Sequence, residues 1–179
     1  MAGSRRTLAI LPVALHLAIC DARGAVYLVN LVGHSFVRWL VLALGFAVVL
    51  RSGSALWRGA PFTRADTRLA SAFVAAADTQ LLLGLGLWFI TSPLPDVAFR
   101  TGVLHDPSLF FFALAHPCLM TLSLALLHVG RVKLRRTEGD RARHRTWLRY
   151  VASAMLLVAC AVPWPRIWAF GRPLWRSFE

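Results

Sequence analysis

Two histidines set in apolar sequence, His34 and His116, are the residues of this chain best suited to chemistry. A neutral imidazole ligates metals through either ring nitrogen. Two imidazoles from different helices, facing each other at one depth, meet the needs of axial ligation of a b-type haem iron. Arg38 stands four residues after His34 and shares its helix face. A guanidinium there suits a haem propionate or a quinone head group. Gln80 is placed to orient a ligand imidazole as an outer partner. Asp78 offers the carboxylate that an Arg38 buried in apolar surroundings needs, so an Arg38–Asp78 ion pair facing the interior is expected. Asp78 and Gln80 are two residues apart, about 200° round a helix, so both cannot point straight at one centre, and Gln80 is free to bond a neighbouring helix.

The remaining candidates carry less. His128 follows His116 by twelve residues, which rotates it ~120° away, and no other apolar segment offers a histidine at its depth, so a second haem is unsupported. His105, beside Asp106, reads as solvated, and His144, among arginines, reads as an interface residue. His16 falls in an N-terminal segment and is given no role. Cys20, Cys118 and Cys160 are isolated; without a Cys-x-x-Cys pair or a Cys-x-x-Cys-His run, a zinc site is disfavoured and a covalently attached c-type haem is excluded. Ser35 adjoins His34, but neighbours on a helix point about 100° apart and make a poor catalytic pair. No phosphate loop, paired-carboxylate motif or nucleophile elbow is present, so whether the chain is an enzyme stays open, and a redox role depends on a bound cofactor.

The elements that must position these groups follow from composition. Of 179 residues, 58% are hydrophobic and 16% charged, too few charges to cover a soluble domain, and mean hydropathy is +0.60. The charges are bunched, leaving apolar runs of about 20 residues, the length that spans a bilayer. The expected fold is all-α: an integral membrane protein whose four transmembrane helices form an antiparallel bundle. The spans fall at about 25–50, 66–91, 108–130 and 147–162, followed by an interfacial tail over 166–179 rich in tryptophan and arginine. Residues 1–24 have a basic start, a short apolar core containing Pro12 and a small-residue exit. They resemble a signal peptide, cleaved in the mature protein or kept as an extra anchor.

The net charge of +12 is read as membrane topology rather than as a nucleic-acid footprint, because the arginines sit between the spans. The positive-inside rule puts the Arg-rich loops 51–65 and 131–146 on the cytoplasmic side of a multi-pass inner-membrane protein, with the C-terminus outside. Depths then follow at 1.5 Å per helical residue. His34 lies about 13 Å and His116 about 12 Å from the outer ends of their spans, Gln80 about 16 Å, and Arg38 and Asp78 about 20 Å, near the midplane. Pro117 removes a backbone donor and is placed to kink the third span at the site. Gly84 and Gly86 leave room for close helix approach or a flat ligand.

From His34-Ser35-Phe36-Val37-Arg38-Trp39 through Gln80-Leu81-Leu82-Leu83-Gly84-Leu85 and His116 to Pro163-Trp164-Pro165, the chain resembles a family of small bacterial four-span membrane proteins often labelled cytochrome b-like. The resemblance covers about residues 26–175 and implies haem and electron transfer, in the bacterial cytoplasmic membrane. Ala115 departs from the acidic residue that relatives favour before the histidine. Three readings follow from the residues: a b-type haem electron carrier with His34 and His116 as iron ligands; a cofactor-free accessory or scaffold subunit of a respiratory or photosynthetic membrane complex; and a small transporter. Besides the lipid bilayer, the partners to be expected are other membrane redox subunits or a quinone, and no nucleic acid.

Overall fold

The computed structural model describes the backbone of residues 4–102, 104–165, 167 and 171, and the side chains of these from residue 24 onward. The side chain of His16 and most of the expected interfacial tail therefore lie outside the described residues. The elements are α1 (Ser4–Arg58), α2 (Arg64–Gly86) continuing into a π-helical turn (Leu87–Thr91), α3 (Leu94–Thr101), α4 (Pro107–Phe110) leading through a second π-helical turn (Phe111–Ala115) into α5 (His116–Arg136), and α6 (Asp140–Ala161). Every element among the described residues is helical. The backbone of α1 runs without interruption through Pro12 and across the expected boundary at residues 24 and 25. α6 begins seven residues before the expected fourth span, because the helix takes in the arginines at its start.

Among the described residues three segments are long and apolar enough to cross a membrane: Gly24–Arg58, Arg64–Thr91 and Pro107–Arg136. α6 does not join them, since Arg141, Arg143, Arg145 and Arg149 occupy its first half. The four long helices pack in a closed ring, α1 on α2, α2 on α5, α5 on α6 and α6 on α1.

One end of the ring carries the arginine-rich connections. α1 stops at Gly59, whose positive φ of 67° a side chain would resist. Thr63 then caps α2: its side chain accepts from the Asp66 backbone N–H, while the Asp66 carboxylate accepts from the Thr63 N–H at 2.8 Å and its hydroxyl at 2.6 Å. The same carboxylate accepts both Arg51 Nε at 2.6 Å and Nη2 at 3.2 Å, tying α1 to the start of α2. Asp66→Ala is therefore expected to cost about 1–3 kcal/mol, by losing a cap and the buried half of an ion pair. A fall in the thermal midpoint of purified protein, absent in Glu138→Ala, is the check.

His144 sits at this end and corrects the sequence reading. It is fully buried, its ring 4.8 Å from that of Phe62 and its Nε2 3.4 Å from the Pro61 carbonyl, with the Arg143 guanidinium 4.2 Å over Phe62. Helix packing between α6 and the 59–63 connection removes it from any interface. The apolar core also lies toward this end, built from Val48, Phe73, Leu134, Trp147 and Val151. Gly130 lets α5 approach α6: a Cβ there would lie 2.5 Å from Tyr150 Cβ and 3.3 Å from the Trp147 ring. Gly130→Ala should destabilise by about 1–3 kcal/mol through overpacking, despite the better helix propensity of alanine. Denaturation midpoints of the two proteins in one detergent measure it.

Candidate functional site

Toward the opposite end the helices separate around a cavity of about 270 Å³. On α1 its wall runs from Tyr27 to Val41, about 21 Å of helix. His34, Arg38, Gln80, Gly84, Trp88 and His116 line its middle, Leu94 and Pro95 of α3 meet its end, and Val158 of α6 closes the fourth side. It is an apolar slot with a few convergent polar groups, the usual make-up of a ligand site.

The spreading has a chemical origin in the prolines. Pro117 has no N–H, so the carbonyl four residues earlier, Ala113, loses its α-helical donor. The chain answers with the π-helical turn Phe111–Ala115, in which the His116 N–H reaches back to Phe111 O. The Ala113 carbonyl accepts the Trp88 indole N–H at 3.0 Å, from the other π-helical turn. Pro163 and Pro165 act likewise at the end of α6. The carbonyls four residues before them are Ala159 and Ala161; the first accepts Trp164 Nε1 at 2.8 Å and the second His116 Nδ1 at 2.7 Å. These bonds are absent from the sequence reading, although the rule that a proline frees the carbonyl four residues before it would have found all three acceptors.

His116 is thereby held in one tautomer. Its Nδ1–H donates to Ala161, which leaves Nε2 with its lone pair. His34 reaches it from α1, with ring centroids 6.3 Å apart and planes inclined by 67°. Gln80 Nε2 lies 3.1 Å from His34 Nε2, while His34 Nδ1 is buried without a hydrogen-bond partner. The Gln80 amide oxygen is also buried and unpartnered. A buried polar atom without a partner costs about 1–3 kcal/mol, so this cluster holds unmet bonding capacity at the cavity. Gly84 faces His34: a Cβ there would sit 3.1 Å from the ring.

The sequence-predicted set is thus only partly brought together. His34, His116, Gln80 and Arg38 line one cavity. Arg38 places Nη2 3.5 Å from Ser35 Oγ and its guanidinium 5.4 Å from the Trp39 ring. The expected Arg38–Asp78 pair gives way to a different one: Asp78 turns from the cavity to α5, where Oδ1 meets His128 Nε2 at 2.8 Å. The reason is rotational, because Gln80 takes the inward direction on α2 and Asp78, two residues earlier, cannot share it. His105 is exposed, as are the thiols Cys118 and Cys160. Among the described residues no group of three metal-ligating side chains forms.

No protein-family model matches the chain, and comparison with curated proteins and with solved structures finds no match.

Proposed function

We propose that the chain is an integral membrane electron carrier that holds one b-type haem between His34 and His116. In this reading its four long helices form an antiparallel bundle, with α6 as a shorter fourth span whose Arg149 snorkels to the head groups. The arginine-rich connections face the cytoplasm under the positive-inside rule. The family resemblance of the His34 and Gln80 motifs belongs to the same reading.

One observation carries it: two imidazoles from different helices meet across one cavity with their ring centroids 6.3 Å apart. His34 and His116 would supply the nitrogen ligands that hold the iron. The residues present fit such a group. His116 offers Nε2, its other nitrogen fixed by Ala161. Gln80 Nε2 donates to His34 Nε2, which puts the ring proton on the unpartnered Nδ1; with the Gln80 amide turned so that its oxygen accepts from Nε2–H, the Nδ1 lone pair would be free to ligate. Gly84 lets the His34 ring lie close against α2, and Arg38 would supply a positive charge to an anionic substituent. Haem, when bound there, supplies one-electron transfer. The apolar walls limit water at the site, and the bonded His116 holds its single N–H proton on Nδ1, so its Nε2 need not release one to ligate. The deciding experiment is the reduced-minus-oxidised visible spectrum of purified protein; a stable, colourless preparation rejects the proposal.

A further inference from the structure

The Asp78–His128 pair lies outside the cavity, yet it sits deep in apolar sequence. Between Arg68 and Thr91, the end of the first π-helical turn, Asp78 is the sole charged residue on α2 and its extension. α5 and the turns leading into it carry none between Asp106 and Arg131. The pair is nonetheless open on the outside of the ring, with 40% of the Asp78 side chain and 54% of the His128 side chain exposed. Beside it Arg131 Nη2 donates to Ser71 Oγ at 2.5 Å, one turn nearer the basic end of α5. Next to this seam α2 presents Ser71, Ala75 and Thr79, all exposed and spaced four apart.

If α2 and α5 cross a membrane, a half-open carboxylate–imidazole pair facing lipid is costly, and such groups ordinarily face protein. A covering surface must offer both a donor for Asp78 and an acceptor for His128. This same surface supplies both, because a two-fold axis sets each Asp78 against His128 of the second copy. Small side chains at Ser71, Ala75 and Thr79 let two such helices approach closely, as intramembrane packing requires. We propose that the α2–α5 face is the docking surface for a second copy of this chain, related by a two-fold axis through the Asp78–His128 pairs. The haem sites then stand on the far sides of α2 and α5 and remain complete in each copy.

The inference rests on the proposed membrane placement, and alkaline extraction of membranes separates the two failures. Protein released by carbonate overturns the placement; protein retained but monomeric overturns the dimer alone. The test uses the full chain with Cys20→Ser, Cys118→Ser and Cys160→Ser, carrying either Ala75→Cys or, as a control on the outer face of α1, Phe46→Cys. Copper-phenanthroline oxidation in membranes is expected to yield a disulfide-linked dimer for Ala75→Cys and none for Phe46→Cys. Native mass spectrometry of the uncrosslinked protein in mild detergent should show twice the 19.8 kDa chain mass. Ala75→Leu, which adds bulk only outside the monomer, should weaken the dimer about tenfold or more and leave the fold intact. Asp78→Leu should weaken it similarly. Monomer alone in detergent and in lipid nanodiscs, equal crosslinking at both positions, or a different protein crosslinked to Ala75→Cys each overturns the proposal.

Discussion

His34→Ala and His116→Ala should each lower bound haem b about tenfold or more, read as the loss of the reduced-minus-oxidised bands per mole of protein. The expectation rests on the pair acting together: among the described residues that line the cavity there is no third histidine to take the place of the one removed. His116 also anchors the end of α6 through Ala161, so an alanine there removes a structural bond together with the ligand. His116→Asn separates the two roles. Its amide nitrogen stands near the position of Nδ1 and can still donate to Ala161, while nothing replaces Nε2. That variant should be folded and colourless. His128→Ala is the matching control, since its ring is bonded to Asp78 outside the cavity, and it should keep the full spectrum. A spectrum that survives both His34→Ala and His116→Asn, or one lost only in His128→Ala, would remove the haem assignment from this cavity.

Trp147→Ala should be the most destabilising single change, at about 3–5 kcal/mol. The ring is 1% exposed, wedged where α5 and α6 come closest, against Gly130 and within the core that contains Phe73 and Val151. Truncation leaves a void that neighbours on rigid helices refill only in part, so dispersion contacts are lost outright. The indole N–H is buried without a partner, so Trp147→Phe removes an unmet donor along with ring volume and should cost less than alanine. Trp57, 88% exposed at the end of α1, provides the contrast: Trp57→Ala should stay within about 0.5 kcal/mol. Denaturant midpoints in one detergent rank the three variants. Equal effects at Trp147 and Trp57 would mean that the α5–α6 contact contributes little to stability.

Much of the fold was legible because apolar run length and proline or arginine punctuation act locally. The stop at Thr91 and the break at Pro163 follow from those signals, and the structure has helix ends there, whereas α1 and α5 run on to Arg58 and Arg136, eight and six residues past the expected ends. The full reach of α6 was not legible, because an arginine-rich start reads as loop until its buried partners are known. His144 is such a residue, placed at an interface by its arginine neighbours and buried by the packing of α6 on the 59–63 connection.

The site divides along the same line. Helix depth, a one-dimensional quantity, was computable from the sequence and brought His34, His116 and Gln80 to one level, where the structure joins them. Depth also offered Arg38 and Asp78 to each other, and there it misled, because rotation about the helix axis decides which residue faces inward. On α2 that direction belongs to Gln80, and Asp78 is turned toward His128. Residue type and spacing by themselves determined an all-helical chain with long apolar helices and a pair of histidines at matched height. Only the tertiary structure decided which polar groups meet, because a hydrogen bond between helices depends on rotation and separation, which are set by close packing at positions such as Gly130 and Gly84 and by carbonyls that the prolines leave free.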